Sequence, residues 1–272
     1  MKATFIGGGN MATALAGGLL ARGVHPADLR VVEPLAAQRE RLRERMRGVA
    51  VHSSASGDAL KGAEVVVFAV KPQQMREAVT AIAPHVAAIP VVLTIAAGVR
   101  CADIARWLGG YARIVRAMPN TPALVGAGIS ALYATPDAKP VAKLAADVLE
   151  ACGEILWCDD ERDLDAVTAV SGSGPAYVFY FLEALEQAAI ELGLPPGEAR
   201  RLAYATFDGS MRLARASSDA PAKLRANVTS KGGTTAAAIG VLDAADVGER
   251  IVLAVKAAAA RATELGDAYG KD

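Results

Sequence analysis

The chain has 272 residues, 53% of them hydrophobic, with 29 basic and 29 acidic side chains; it can bury a large core and carries no formal net charge to attract nucleic acid. No apolar stretch reaches the roughly 18 to 20 uncharged residues of a membrane span, and Met1-Lys2-Ala3-Thr4-Phe5-Ile6 runs straight into a strand pattern, so a soluble protein of the cytoplasm acting on small molecules is expected. Cys101, Cys152 and Cys158 are odd in number, lack CxxC spacing and are accompanied only by His25, His52 and His85, so neither a disulfide framework nor a zinc site is expected.

In chain order, the first half alternates short β-branched runs with helical ones. A strand over 4–6 leads to a helix over 11–22, and the turn between them, Phe5-Ile6-Gly7-Gly8-Gly9-Asn10-Met11-Ala12, holds a G-x-G-x-x-A pattern in strand-turn-helix context. Gly7 permits the tight turn, Gly9 lets the backbone approach a pyrophosphate, and Ala12 lets the helix pack closely on the strand; a dinucleotide site is expected here. A second strand, 29–32, ends at Glu33, roughly 20 residues past the glycines, where a carboxylate holds the ribose hydroxyls of NAD and repels the extra phosphate of NADP. Arg39, Arg41 and Arg43, in the helix over 36–46, either counter that charge or face solvent, which leaves the choice of cofactor open at these residues.

The strand over 65–70 closes with Ala69-Val70-Lys71-Pro72, at the end of the sheet where ligands bind and ahead of a helix over 73–82; Lys71 is expected either beside the dinucleotide or as a surface lysine in the turn. A strand over 91–95 and a helix over 103–108 follow. The strand over 114–117 runs into Arg116-Ala117-Met118-Pro119-Asn120-Thr121-Pro122, where two prolines stiffen a polar loop; it suits a nicotinamide carboxamide or the edge of a substrate, or else is a rigid turn. Strands over 129–133 and 154–157, with a helix over 138–151 between them, extend the sheet. This alternation predicts a doubly wound, Rossmann-type α/β domain in residues 1–160.

Strand signals stop at Glu161, so residues 161–272 are expected to be all-helical, punctuated at 171–175, 193–196, 217–221 and 227–235. Pro175 opens a helix through Ala176-Tyr177-Val178-Phe179-Tyr180-Phe181-Leu182 with too little polar surface to face water all round, which calls for burial in a dimer or at the centre of a bundle. The segment Asn227-Val228-Thr229-Ser230-Lys231-Gly232-Gly233-Thr234-Thr235 then sets backbone N–H groups at a helix start, where a carboxylate is favoured by hydrogen bonding and by the helix dipole. The plainer alternative is a helix-helix turn capped by Thr234 or Thr235.

FIGGGNMA near the start, AVKP at 69–72, RAMPNTP at 116–122, SGSGPAY at 171–177 and LRANVTSKGGTTAAAI at 224–239 stand in the order seen in pyrroline-5-carboxylate reductases, and the chain resembles that family over almost its whole length. The resemblance implies an amino-terminal Rossmann domain for NADPH or NADH and a helical dimerisation domain. It also implies an active site shared between the subunits of a homodimer or a larger assembly of dimers; no nucleic acid, membrane or metal is expected from the charge, hydropathy and cysteine and histidine content. The implied reaction is hydride transfer to 1-pyrroline-5-carboxylate to give L-proline, the last step of proline biosynthesis. Cofactor contacts fall to Ile6, Gly7, Gly8, Gly9, Asn10, Met11, Glu33, Ala69, Val70, Lys71, Pro72, Met118, Asn120 and Thr121. Ser230, Gly232, Gly233 and Thr234 are assigned to the substrate carboxylate, and Thr235 to the imine nitrogen as the candidate catalytic group.

Two positions depart from the family's pattern. Lys231 stands where proline is more frequent and bears on loop stiffness; Glu33 replaces a small or neutral polar residue and puts the frequent preference for NADPH in question. Two rival readings have the same general plan. A β-hydroxyacid dehydrogenase requires a lysine in the central helix, whereas the charged residues over 175–192 are Glu183, Glu186 and Glu191. A non-catalytic dinucleotide-binding protein has little reason to combine Gly232-Gly233 with Thr234-Thr235 at a helix start.

Overall fold

The computed structural model describes residues 1–270; positions 271 and 272, the end of the expected helical domain, lie outside the described residues. Eight strands, β1 (Ala3–Ile6), β2 (Leu29–Val32), β3 (Ala50–His52), β4 (Val65–Phe68), β5 (Val91–Thr94), β6 (Ile114–Met118), β7 (Gly128–Ala134) and β8 (Gly153–Trp157), form one sheet in the order β3-β2-β1-β4-β5-β6-β7-β8. The first six are mutually parallel in the order of a doubly wound dinucleotide fold, while β7 pairs antiparallel with β6 and parallel with β8. The β3 strand was not foreseen: Ala50-Val51-His52 is too short to show a period, and it forms by pairing with β2.

The sheet is apolar on both faces because helices cover both. Ala3, Phe5, Val65, Val67 and Leu93 point to one side, where they meet Leu15 and Leu19 of α1 (Asn10–Ala21), Leu42 of α2 (Ala36–Arg45) and Val148 and Leu149 of α6 (Ala142–Glu150). Ile6, Val66, Phe68 and Val92 point to the other. There they meet Ala59 and Leu60 of α3 (Gly57–Leu60), Met75, Val79 and Ile82 of α4 (Met75–Ile82), and Ile104 of α5 (Cys101–Trp107). The period of two along the strands, against the i, i+4 spacing of Leu15 and Leu19, lets each strand serve both layers at once.

The chain divides into two compact units. The first holds Met1–Ser173 and the described residues from Ala258 onward; the second is Gly174–Ala257. The division thus falls after the change of composition near residue 160, because the short helix α7 (Asp163–Val167) and the π turn Thr168–Gly172 belong with the sheet. An ionic cluster holds them there. Arg116 of β6, its side chain 5% exposed, reaches Glu161 at 3.0 Å and Asp165 at 3.6 Å. Glu161 also accepts the N–H of Cys101, and Asp165 accepts the hydroxyl of Thr263. Burial, and then the Glu161 charge, push the Cys101 thiol far up from its ordinary range, which makes it a packing group and not a nucleophile.

In the second unit α8 (Gly174–Glu191) packs on α9 (Pro196–Ala216), tied by Arg200 on Glu186 at 2.8 Å; α10 (Pro221–Asn227), α11 (Thr234–Ala244) and the start of α12 (Val247–Tyr269) follow. Helix α8 has no buried residue within the chain. Phe179 is 64% exposed and Tyr180 70%, so the alternative in which this helix is the buried centre of a single-chain bundle is excluded. Its apolar surface needs a second copy. Among the described residues no helix is long and apolar enough to cross a membrane.

Candidate functional site

In the first unit, the turn after β1 has the features of a dinucleotide cradle. Gly7 has φ +98°, and a Cβ there would lie 2.8 Å from both the carbonyl oxygen of Ala69 and Cγ1 of Val70, so only glycine lets β1 turn this close to the end of β4. Gly9 is the N-cap of α1 with no capping side chain, and a Cβ on it would meet nothing within 4 Å. The first N–H groups of α1, at Asn10 and Met11, have no acceptor within the helix and stand beside exposed Gly9 and Asn10, as an incoming pyrophosphate requires. These residues fit the dinucleotide that the fingerprint implies.

The remaining cofactor candidates lie around the same strand ends. Ala69 donates its N–H to Ile6 at 2.8 Å, and Ala69 and Val70 are half-buried beside Gly7. Lys71 is exposed and precedes a short 3₁₀ turn that starts at Pro72. Glu33 is buried, and its carboxylate accepts the N–H of Gly8 at 3.0 Å and that of Leu35 at 2.9 Å, so it braces the glycine turn from the carboxyl end of β2. Gln38, which the sequence did not single out, donates to the carbonyl of Gly8 at 2.8 Å. Its only signal was a place in the first turns of α2. Arg39 lies beside Glu33, donating to the main-chain oxygens of Glu33 and Pro34, while Arg41 and Arg43 are exposed along α2.

The polar loop after β6 is divided in its duties. Met118 is half-buried, and its Cε lies 2.5 Å from where a Cβ on Gly172 would stand, so RAMPNTP packs directly on SGSGP. Asn120 is 9% exposed, and its Oδ1 accepts the N–H of Ile129 at 3.0 Å; this carbonyl serves the entry to β7. Thr121 is exposed at the start of a 3₁₀ turn. The end of α12 packs here as well, a contact with no local signal in the sequence: Tyr269 accepts from Gln73 at 2.9 Å, and Asp267 pairs with Arg100 at 2.6 Å.

In the second unit, the segment between α10 and α11 is a turn whose backbone is left open. Thr229 bonds back to Arg225, Gly233 donates its N–H to the carbonyl of Ser230 at 3.1 Å, and Gly232 has φ +73°. The N-cap of α11 is Gly233 and no side chain caps it. Thr234 and Thr235 are thus the first two helical residues, and the turn is capped by neither of them. Their N–H groups and that of Ala236 lie where an α-helix has no internal acceptor to offer. The Ser230 Oγ lies 2.5 Å from where a Cβ on Gly233 would stand, so glycine there lets the hydroxyl close over the turn. Thr235 is half-buried. The arrangement can hold an anion on backbone donors and present a hydroxyl next to it.

Other chemistries find less support. Glu186, one of the three charged residues of α8, is held by Arg200, which lowers its pKa by hydrogen bonding, and the helix presents no lysine as acid-base group. Among the described residues no group of three or more His, Cys, Asp or Glu side chains is placed to hold a metal ion.

Known proteins align with this picture along the whole chain. Residues 161–265 match the family model for pyrroline-5-carboxylate reductase dimerisation, and residues 2–98 that for NADP oxidoreductase, coenzyme F420-dependent. The chain is 42% identical to a pyrroline-5-carboxylate reductase of Pseudomonas aeruginosa, covering 99% of this chain and 98% of the relative. It is 36% identical to that of Arabidopsis thaliana, covering 97% and 95%. Among solved structures, a pyrroline-5-carboxylate reductase from Coxiella burnetii superposes with a TM-score of 0.89 at 38% identity, covering 97% of this chain and 98% of that one. A pyrroline carboxylate reductase from Plasmodium falciparum with NADP bound gives 0.87 at 28% identity, covering 98% of each.

Proposed function

The chain belongs to the pyrroline-5-carboxylate reductase family, and we propose that its Ser230 to Thr235 turn seats the substrate carboxylate while Thr235 addresses the imine nitrogen. The enzyme reduces 1-pyrroline-5-carboxylate to proline with NAD(P)H, as an oxidoreductase built on a dimerisation domain. The observation that carries the site proposal is the uncapped start of α11, preceded by Gly232-Gly233 and followed at once by two hydroxyls.

The bound nicotinamide supplies the hydride. What remains for the protein is to place a small cyclic imine and polarise it. The substrate carries its carboxylate on the carbon next to the ring nitrogen, so a site that grips the carboxylate on N–H groups and reaches the nitrogen with a hydroxyl orients both ends. The first N–H groups of α11 and the Ser230 hydroxyl take the first task, and the helix dipole adds to it. Thr235 takes the second. A threonine hydroxyl is a weak acid and hands over no proton itself; its oxygen accepts a hydrogen bond from the N–H of an iminium that arrives already protonated, which fixes the C=N bond in place for the hydride. On the cofactor side, Gly7, Gly8, Gly9, Asn10 and Met11 supply the turn and helix start, with Glu33, Ala69, Val70, Lys71, Pro72, Met118, Asn120 and Thr121 around it.

The proposal divides the labour near residue 160, cofactor before it and substrate and dimer after it. It places the enzyme in the cytoplasm as a homodimer or an assembly of such dimers. Replacing Thr235 with alanine is expected to lower kcat at least about tenfold, equivalent to roughly 1.4 kcal/mol of transition-state stabilisation, with the KM for cofactor unchanged. Steady-state kinetics on Thr235→Ala and Thr235→Ser check it: serine should recover much of the loss, and unchanged turnover in the alanine variant removes Thr235 from the mechanism.

A further inference from the structure

We infer that Glu33 makes this chain select NADH over NADPH. The inference rests on the reading that the Gly7 to Asn10 turn holds the cofactor, and adds to it which dinucleotide is taken. Glu33 is 8% exposed at the end of β2. Its Oε2 is held by the N–H of Gly8 and its Oε1 by the N–H of Leu35, at 3.0 and 2.9 Å. A Cβ on Gly8 would lie 3.3 Å from both Cβ and Oε2 of Glu33, so the side chain lies flat against the glycine turn. A carboxylate held at both oxygens and buried on the turn cannot swing aside for a second anion.

Each of those oxygens has two lone pairs, and one amide donor on each leaves acceptor capacity for ribose hydroxyls. In a doubly wound dinucleotide fold this position meets the adenosine ribose. A carboxylate there accepts from the 2′-hydroxyl, whereas a 2′-phosphate needs a cation in its place. The cation at hand, Arg39, is tied by its Nη1 to the carbonyl oxygens of Glu33 at 2.9 Å and Pro34 at 2.6 Å, so its remaining N–H groups would meet a 2′-phosphate only with the Glu33 carboxylate still beside that phosphate. Arg43 lies in the last turn of α2, past Arg39 along the helix, and Arg41 is exposed.

Direct binding tests this without substrate or turnover. Nicotinamide fluorescence titrations of the full-length enzyme should give a Kd for NADH at least about tenfold below that for NADPH, the scale of a like-charge contact near a protein surface. Glu33→Ser, which opens space and removes the charge, should reverse or nearly abolish that ratio by strengthening NADPH. Glu33→Gln, which keeps the shape and an acceptor, should narrow it. Arg39→Ala should leave the NADPH Kd within about twofold, since the Glu33 carboxylate keeps a 2′-phosphate from settling on Arg39. Equal affinities in the unaltered enzyme, a preference for NADPH, or a tenfold loss of NADPH binding in Arg39→Ala each overturns the inference while leaving the cofactor site in place. Failure of both dinucleotides to bind overturns it together with the cofactor-site reading.

Discussion

Gly7→Ala is expected to weaken dinucleotide binding at least about 100-fold and to destabilise the fold by about 2 kcal/mol. Two penalties act together. The backbone at φ +98° is one an L side chain rarely adopts, and the new methyl would stand 2.8 Å from the backbone oxygen of Ala69, which follows directly on the central strand β4 and is held by its own N–H bond to Ile6. The turn must then lift from β4, which moves the uncapped N–H groups of α1 off the pyrophosphate position; displacement by about 1 Å in a preorganised site suffices for a loss of this size. Gly17→Ala is the matched control. Gly17 lies in the middle of α1 with nothing within 4 Å of the added carbon, so alanine there should be neutral or stabilising by up to about 1 kcal/mol. Titration of NADH into both variants, with a urea unfolding curve for each, distinguishes local strain from a general intolerance of substitution in this region.

Arg116→Ala is expected to destabilise the enzyme by about 3 kcal/mol, at the lower end of the range for breaking a buried ion pair. The guanidinium is 5% exposed, and its loss leaves Glu161 and Asp165 beside β6 without a cation. Their side chains are 21% and 19% exposed, so water relieves part of the penalty and the upper end of the range does not apply. The loss should be smaller when Glu161 is also made glutamine, because one stranded charge goes with it. Urea midpoints for the single and double variants measure this. A change below about 1 kcal/mol in the single variant would mean that the cluster contributes little beyond local packing.

Much of the α/β architecture was legible because its signals are local. Apolar runs such as Val65-Val66-Val67-Phe68 announce strands buried on both faces, and Leu15 with Leu19 gives the helix its apolar stripe. The antiparallel turn of β7 onto β6 was not legible, since nothing in Gly128 to Ala134 encodes direction. The glycine fingerprint could be read for the same local reason as the strands, because Gly7 needs its φ from its own turn. Other roles depend on partners far along the chain and have no period or motif. The contact of Met118 with Gly172, the ties of Gln73 and Arg100 to the end of α12, and the use of Asn120 within the β7 entry all belong to this class. The boundary near 160 marks where strand composition ends. The compact units divide at Ser173 because the ionic grip of Arg116 carries α7 with the sheet, and a charge pair across 45 positions leaves no trace in composition.

The central claim is that backbone donors at the start of α11 hold the substrate's carboxylate, and a proline at the first helical position tests it. Proline fits there without breaking the helix, because Gly233 is extended at φ −83° and ψ 174°, yet it deletes the N–H of residue 234. The measurement is kcat/KM for 1-pyrroline-5-carboxylate relative to 1-pyrroline, the same ring without a carboxylate, in the unaltered enzyme, in Thr234→Ala and in Thr234→Pro. Charge-assisted hydrogen bonds of about 1.5 to 3 kcal/mol each predict a ratio of at least about 100 in the unaltered enzyme. That ratio should be largely kept in Thr234→Ala and reduced at least about tenfold in Thr234→Pro. A ratio unchanged by the proline, with the variant folded and binding cofactor, would contradict the claim and place the carboxylate elsewhere.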